Sequence, residues 1–205
     1  MHRGKEIFAI PMWLNGRAYL KLARDYCDVV NPSNGEILRK APLFGPAEVA
    51  DALQSAKQGL SAWSLLGKLE RERLLTSLGD ALSGLRAHFS GLIVEETGTD
   101  VAVAERDVDE MVSCLRKPAM VAVAGSVAVI ADSPALLRTV VQVVSALAAG
   151  AVVVISPLPR SPSVLFALAE LSSRCGFPAG AINVVCLDDA GRVCLRASEG
   201  VTVLE

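Results

Sequence analysis

The chain has 205 residues, 52% of them hydrophobic, which is enough for one substantial core or for one domain with an appended arm. A formal net charge of −2 gives no electrostatic footprint for nucleic acid or for an anionic membrane surface. The five cysteines form no CxxC pair and are odd in number, so neither a zinc site nor a closed disulfide framework is indicated, and we expect a reducing, cytoplasmic setting.

Two kinds of apolar segment argue against export and membrane insertion. Residues Met1–Ile10 lack the long apolar core and small-residue cleavage site of a signal peptide. The most apolar stretches are Ala119–Ala131 and Thr139–Ile155, and the second breaks at Gly150. A spanning helix needs about twenty apolar residues. We therefore expect no membrane span.

Residues 1–45 read as an N-terminal β arm. Met12–Tyr19 is a predicted hairpin, because Asn15-Gly16 is a strong signal for a tight two-residue turn. Asp28–Asn31 then leads through a Pro-Ser-Asn-Gly turn into a return strand at Glu36–Pro42. No chemically active side chains converge here, so the arm is interpreted as a packing element.

Residues 46–118 read as a helical segment. Apolar residues recur at helical spacing from Val49 to Trp63, with Pro46 in the first turn. In the helix predicted at Asp100–Arg116 the acidic side chains spread around the helix, which indicates a solvated face and no metal site. The other predicted helices are Leu69–Leu85, Phe89–Glu96 and Asp100–Arg116, the last capped by Asp100 and ended by Pro118.

Residues 119–205 alternate between strand and helix, which predicts right-handed crossovers and a parallel sheet. The fold class is therefore α/β, a Rossmann-like parallel sheet of about four strands flanked by helices. We expect residues 46–205 to form one structural domain. The predicted elements are Ser126–Ile130, Ala135–Ala149, Val152–Ile155, Ser163–Cys175, Ala181–Cys186, Gly191–Ala197 and Val201–Leu204.

The segment from Ala146 to Pro162 is the one most informative about function. A helix closes at Gly150, a β-branched run follows, and a Pro-rich turn ends it. In such sheets the ligand lies at the loops after the carboxyl ends of the strands. Residues Ser156–Arg160 offer one hydroxyl, two prolines, a leucine and an arginine, which is little binding chemistry. Arg160 is open to two readings, a phosphate contact or an ordinary exposed arginine.

The same stretch resembles the aldehyde dehydrogenase superfamily, in which a helix ending PALAAG leads to a strand, to K-P-S-E-x-T-P, and later to G-[FL]-P-x-G-[VI]-[IL]-N-V-V. The resemblance spans nearly the whole chain and implies the cofactor-domain fold of that family. The matching residues are Trp13-Leu14-Asn15-Gly16, Val30-Asn31-Pro32-Ser33-Asn34-Gly35-Glu36, Glu96-Thr97-Gly98, Ala146–Gly150, Val153-Val154, Pro157, Pro162 and Gly176–Val185.

The resemblance also implies positions for the catalytic oxyanion contact. Family members carry a Pro-Trp-Asn loop whose Asn side chain stabilises the developing oxyanion. An ungapped count from Gly150 places Ser133 at that Asn and Asp132 at the Trp. Serine has a shorter reach, and an ionised aspartate opposes an oxyanion. We therefore predict a degenerate oxyanion position at Ser133 and no catalytic residue.

The cofactor positions are replaced as well. Pro157 is kept, but Ser156 stands at the family lysine and Pro159 at the family glutamate that bind the adenosine ribose. Where a glycine-rich turn approaches the pyrophosphate, this chain has Asp188 and Asp189, which repel a diphosphate. We expect no cofactor, or NAD or NADP bound weakly through these degenerate positions.

Two further stretches depart from the family pattern. Only Lys117–Ala124 fill the place of a longer family segment that carries strands used in subunit assembly. The sequence ends where the family continues into its catalytic domain, with the nucleophilic cysteine and general-base glutamate. The cysteines present are far in sequence from His88 and have no evident activating group.

The sequence thus predicts a non-catalytic aldehyde-dehydrogenase-like protein with an interaction or structural role. The alternative is a component of an NAD(P)-dependent aldehyde oxidoreductase that needs a second polypeptide for its cysteine and glutamate. A third possibility is a remnant with no function beyond folding. Because an isolated cofactor domain exposes apolar surface, we expect a homo-oligomer or a protein partner.

Overall fold

The structure is a computed structural model that describes residues 7–119 and 121–204. Within these ranges the chain forms eight strands and seven helices. In chain order they are β1 (Met12–Leu14), β2 (Arg17–Tyr19), β3 (Asp25–Val30), β4 (Ile37–Leu43), α1 (Pro46–Leu65), α2 (Lys68–Gly84), α3 (Arg86–Thr97), α4 (Val101–Arg116), β5 (Ser126–Ile130), α5 (Leu136–Ala149), β6 (Val152–Ser156), α6 (Ser163–Arg174), β7 (Ile182–Val184), α7 (Asp189–Arg196) and β8 (Val201–Leu204).

The main sheet has six strands in the order β2-β1-β7-β6-β5-β8. The four strands β5 to β8 are parallel to one another, which confirms the predicted parallel sheet. The N-terminal hairpin extends this sheet, because β1 pairs antiparallel with β7 through Trp13 and Val184. Strands β3 and β4 form a separate antiparallel ribbon.

Helices cover both faces of the sheet. Helices α1 and α7 pack together on one face, and α5 and α6 cover the other, with α2, α3 and α4 stacked against them. The central strands β5 and β6 are consequently buried on both faces, as expected for parallel strands between helical layers. All three loops that follow β5, β6 and β7 lie at the same edge, where a ligand site is expected.

Helix α1 approaches the turn before β7 so closely that two glycines are required. A Cβ on Gly59 would lie 2.7 Å from the carbonyl oxygens of Ala179 and Gly180. Gly180 itself has a φ of +81°. Beside this contact the Ser55 hydroxyl donates to Oδ1 of Asn183 at 2.6 Å, and the Asn183 amide donates to the carbonyls of Gly180 and Val153 at 2.8 and 3.1 Å. The buried amide is therefore fully satisfied.

A buried carboxylate joins α3 to β4 and α6. Glu96 accepts a hydrogen bond from Nη1 of Arg39 at 2.7 Å, and from the backbone N–H of Ser163 at 3.2 Å as well as from its hydroxyl. Arg39 also donates to Glu95 at 2.9 Å. Burial raises the pKa of Glu96, against the opposing hydrogen bonds of Ser163 and the charge of Arg39. Since Ser163 begins α6, this network fixes where the loop after β6 ends.

The predicted elements agree with the observed ones except at a few ends. The strand predicted at Ala181–Cys186 is shorter and spans Ile182–Val184, because the residues after it bond to Phe44. The Phe44 N–H donates to the Cys186 carbonyl, and the Phe44 carbonyl accepts from the Asp188 N–H, both at 2.9 Å. The helix predicted from Gly191 begins at Asp189, because Asp188 caps it. The expected glycine cap at Gly150 is left-handed, and Gly98 ends α3 in the same conformation.

Replacing Gly59 by alanine should destabilise the protein by about 1–3 kcal/mol, because the new methyl group forces α1 away from the Gly180 turn. The matched control is Gly91→Ala in the middle of α3, where a Cβ meets nothing within 4 Å. That change should stabilise by about 0.5–1 kcal/mol through backbone entropy alone. Denaturant unfolding measures both, and equal effects at the two sites would contradict the close approach.

Replacing Glu96 by glutamine should change how stability depends on pH. Because burial raises the pKa of folded Glu96 above its value of about 4.3 in the unfolded chain, its contribution is fully present below that value. The contribution is lost as pH rises through the folded pKa. The free energy of unfolding of wild type minus that of the variant should therefore fall as the pH rises above about 4.

The control for this experiment is Glu95→Gln, which removes the half-exposed carboxylate from the same guanidinium. This control separates the effect of burying the Glu96 carboxyl group on stability from the effect of removing an ion-pair partner of Arg39. A difference in unfolding free energy between wild type and Glu96→Gln that rises with pH would mean that Arg39 and Ser163 outweigh burial.

Candidate functional site

The carboxyl edge of the sheet gathers the residues singled out from the sequence. Ser133 lies in the loop after β5, Ser156 is the last residue of β6, and Pro157 and Pro159 lie in the loop that follows β6. Residues 185–188 follow β7 and lead into α7. These positions are thus brought to one edge, as a ligand site in a parallel sheet requires.

Ser156 is completely buried. Its carbonyl accepts a hydrogen bond from the Ala131 N–H at 2.9 Å, but its hydroxyl oxygen has no hydrogen-bond partner within the described residues. A buried hydroxyl without a partner costs about 1–3 kcal/mol. The one polar side chain at the family lysine position therefore faces the protein interior and does not reach a ligand in solvent.

The space between the first two loops is very small. A cavity of about 10 Å³ lies between Ser133, Pro134 and Leu158. A volume of that size holds at most about one water molecule. Pro159 is half-buried and offers no side-chain acceptor, and Asp132 is exposed next to Ser133. The loops after β5 and β6 therefore lie close together beside Ser133 and Leu158.

The start of α7 is occupied by the protein's own groups. The Asp188 carboxylate accepts from the N–H of Gly191 at 2.6 Å, and the Asp188 N–H donates to the Phe44 carbonyl. A Cβ on Gly191 would lie 2.6 Å from that same carbonyl oxygen, so Phe44 lies directly against the first turn. Asp189 adds a second negative charge. Two backbone donors at this helix start, the N–H groups of Asp188 and Gly191, are therefore bonded within the chain.

Arg192 is a site residue that the sequence did not indicate. From α7 its Nη1 donates to the Ala131 carbonyl at 3.0 Å, and its Nη2 donates to the Pro157 carbonyl at 3.2 Å. Burial, with a smaller effect of nearby Arg196, lowers the pKa of the guanidinium. An arginine nevertheless stays protonated in proteins. No motif signals this contact, because it depends on where α7 packs.

Burial disfavours the thiolate form of three of the cysteines. Burial raises the pKa of Cys186 to about 12, and burial also raises the pKa of Cys114 and Cys175. His88 is exposed on α3, where its ring stands edge-on to Phe89. Within residues 7–119 and 121–204 there is no group of His, Cys, Asp and Glu that could hold a metal ion.

A second groove lies beside α3 and α6. It has a volume of about 720 Å³ and runs between the N-terminal segment, β4, α3 and α6. Its walls are mostly apolar, with Phe8, Leu92 and Phe166 among them, and Arg39 and Ser163 form its polar floor. Because both polar groups are already paired with Glu96, the floor presents no uncompensated charge.

No helix in the described part of the chain combines the length and the hydropathy that a membrane span needs.

Comparison with known proteins identifies the family. The aldehyde dehydrogenase family model matches residues 19–134 and 122–200. A (Z)-2-((N-methylformamido)methylene)-5-hydroxybutyrolactone dehydrogenase of Acinetobacter baylyi is 32% identical over 77% of this chain and 38% of its own length. A malonate-semialdehyde dehydrogenase of Listeria monocytogenes is 26% identical over 88% of this chain and 42% of its own.

Solved structures agree on the fold. A putative methylmalonate-semialdehyde dehydrogenase from Sinorhizobium meliloti, crystallised with NAD, superposes with a TM-score of 0.85 at 19% identity, over 97% of this chain and 46% of the other. The chain therefore spans about two fifths of the length of the curated relatives it matches. On the family match, which covers most of its residues, this chain belongs to the aldehyde dehydrogenase family.

Proposed function

We propose that this chain is a non-catalytic member of the family, with an interaction or structural role in a reducing, cytoplasmic setting. The observation that carries the proposal is the state of the carboxyl edge. Its buried Ser156 hydroxyl faces inward, its loops leave a cavity of about 10 Å³, and its α7 start is capped by Asp188. Each of these features removes a contact that a dinucleotide would need.

The energetic consequence is large even when each contact is modest. A hydrogen bond contributes about 0.5–1.5 kcal/mol net, and an unpaired buried polar group costs more. Losing the ribose contacts of two side chains together with the diphosphate donors of α7 lowers affinity by orders of magnitude. The Sinorhizobium protein has the same fold and was crystallised with NAD, so the scaffold alone does not account for the difference.

An interaction role is supported by apolar side chains beside a sheet edge. Strand β2 lies at the edge of the main sheet, and an unpaired edge is a template for association. Just after it, Leu20 and Leu22 are 79% and 92% exposed. Leu20 also borders a groove of about 360 Å³ between β1 and α1, lined in part by Met12 and Tyr19. We propose this edge as the surface through which the chain associates.

The alternative function is that of an NAD(P)-dependent aldehyde oxidoreductase component that receives its cysteine and glutamate from a second polypeptide. What favours it is the retained cofactor-domain fold, which matches an NAD-bound structure with a TM-score of 0.85. In that case the substrate class would be a small semialdehyde, as the names of the relatives suggest.

A calorimetric titration separates the two functions. The purified chain should show no saturable binding of NAD or NADP up to several millimolar, and no formation of NADH when an aldehyde is added. The Sinorhizobium relative serves as the positive control, because it was crystallised with NAD. A Kd below about 1 mM, equivalent to more than about 4 kcal/mol, would favour the oxidoreductase component instead.

Light scattering tests the association surface. The wild-type chain should have a mass of at least twice that of the 21.5 kDa monomer. The double variant Leu20→Glu, Leu22→Glu should shift the protein to the monomer, because charges at the edge disfavour apolar association. Leu65→Glu, which changes an equally exposed leucine at the far end of α1, is the control and should keep the wild-type mass. A wild-type protein that is strictly monomeric would contradict self-association.

A further inference from the structure

The carboxyl edge of the sheet contains the guanidinium of Arg192, which bonds to two loops there. Arg192 lies one turn after the cap of α7, and its backbone N–H donates to the Asp188 carbonyl at 2.9 Å. From there its side chain crosses the edge of the sheet and bonds to the residues that directly follow β5 and β6, Ala131 and Pro157. It therefore contacts both of the loops from which a ligand would be held.

The register of the sheet explains why one guanidinium reaches both carbonyls. Ile130 pairs with Ser156 at the ends of the parallel strands β5 and β6, so Ala131 and Pro157 occupy the next step at the edge. The two carbonyls have left the ladder and need donors. A guanidinium is a planar fork with five N–H groups, which suits two acceptors side by side better than the point charge of a lysine does.

The side chain also lies on the face toward which Ser156 points. Asn183 bonds to Ser55 of α1, and Val154 pairs with Asn183, so Val154 and Ser156 share the face covered by α1 and α7. Arg192 comes from α7 on that same face. The completely buried Ser156 side chain thus lies on the face of the sheet that α1 and α7 cover.

We propose that Arg192 is an internal clamp that closes the carboxyl edge by holding the loops after β5 and β6 together. It does from within the chain what a bound ligand does in a dinucleotide-binding sheet. This inference rests on the proposed function, because loops that bind NAD would have to be free to contact it. The clamp adds a reason why the carboxyl edge would not bind the cofactor. The charged side chains that act on the guanidinium are Arg196, Asp189 and Asp132.

Amide hydrogen exchange in the full chain tests the clamp. The two reporters are the amide of Ala131, bonded to the Ser156 carbonyl at 2.9 Å, and that of Ser161, bonded to the Leu158 carbonyl at 3.0 Å. In Arg192→Met both should exchange at least about tenfold faster, because two charged hydrogen bonds that hold the loops are lost. Arg192→Lys should give an intermediate increase. The Val153 amide, at the other end of β6, should be unchanged.

The control is Arg71→Met, which also removes an arginine that donates to two carbonyls, those of Ala148 and Leu66, far from this edge. It should leave Ala131 and Ser161 as in wild type. Unchanged exchange of the two reporters in the Arg192 variants, or an equal rise at Val153, would overturn the clamp. If Arg192→Met does not fold, Arg192→Lys alone decides by the same criterion. Exchange is measured without nucleotide, so NAD binding by wild type would refute the proposed function independently of this result.

Discussion

The close approach of α1 to the turn before β7 is the constraint on which the rest of the fold depends. Gly59 and Gly180 allow backbone to meet backbone, and Ser55 and Asn183 satisfy the polar groups that the contact buries. The Asn15 N–H donates to the same Ser55 hydroxyl at 2.8 Å, which ties the N-terminal hairpin to this point. One local fit therefore sets the position of a helix, a strand and the hairpin that extends the sheet.

Trp63 fixes the other end of α1. Its indole N–H donates to the Leu147 carbonyl at 3.1 Å, and its ring stacks on Phe177 with 5.1 Å between the centroids. Trp63 and Arg71 donate to the carbonyls of Leu147 and Ala148 in the last turn of α5, where the Leu147 carbonyl also accepts from the Gly150 N–H at 3.0 Å. Helix α1 is thereby held to both β7 and α5, which brackets the central strands from the two sides.

The sequence predicted what local patterns encode. Val152–Ile155 reads as a doubly buried strand, Asn15-Gly16 as a tight turn and Gly150 as a helix end, because each depends on residues close together in the chain. It did not predict that β1 would pair with β7, nor that Arg39 would meet a carboxylate 57 residues away. Partners of this kind depend on how complete elements pack, and no periodicity records them.

The candidate site divides along the same line. The resemblance placed Ser133, Ser156 and Pro159 at family positions, and the structure brings all three to one edge. It could not say that the Ser156 hydroxyl is buried, or that Arg192 would reach across from another helix. Both properties depend on side-chain directions that are set by the packing of α1 and α7. The residue types at the matched positions therefore do not predict them.

The carboxyl edge of the sheet is stabilised by groups from within the chain. In a dinucleotide-binding sheet the loop carbonyls and the first N–H groups of the helix are completed by solvent or ligand. Here Arg192, Asp188 and Phe44 supply those partners from within the chain. Stability then no longer depends on what binds at the carboxyl edge. The core, by contrast, still needs apolar side chains of the right size at every buried strand position.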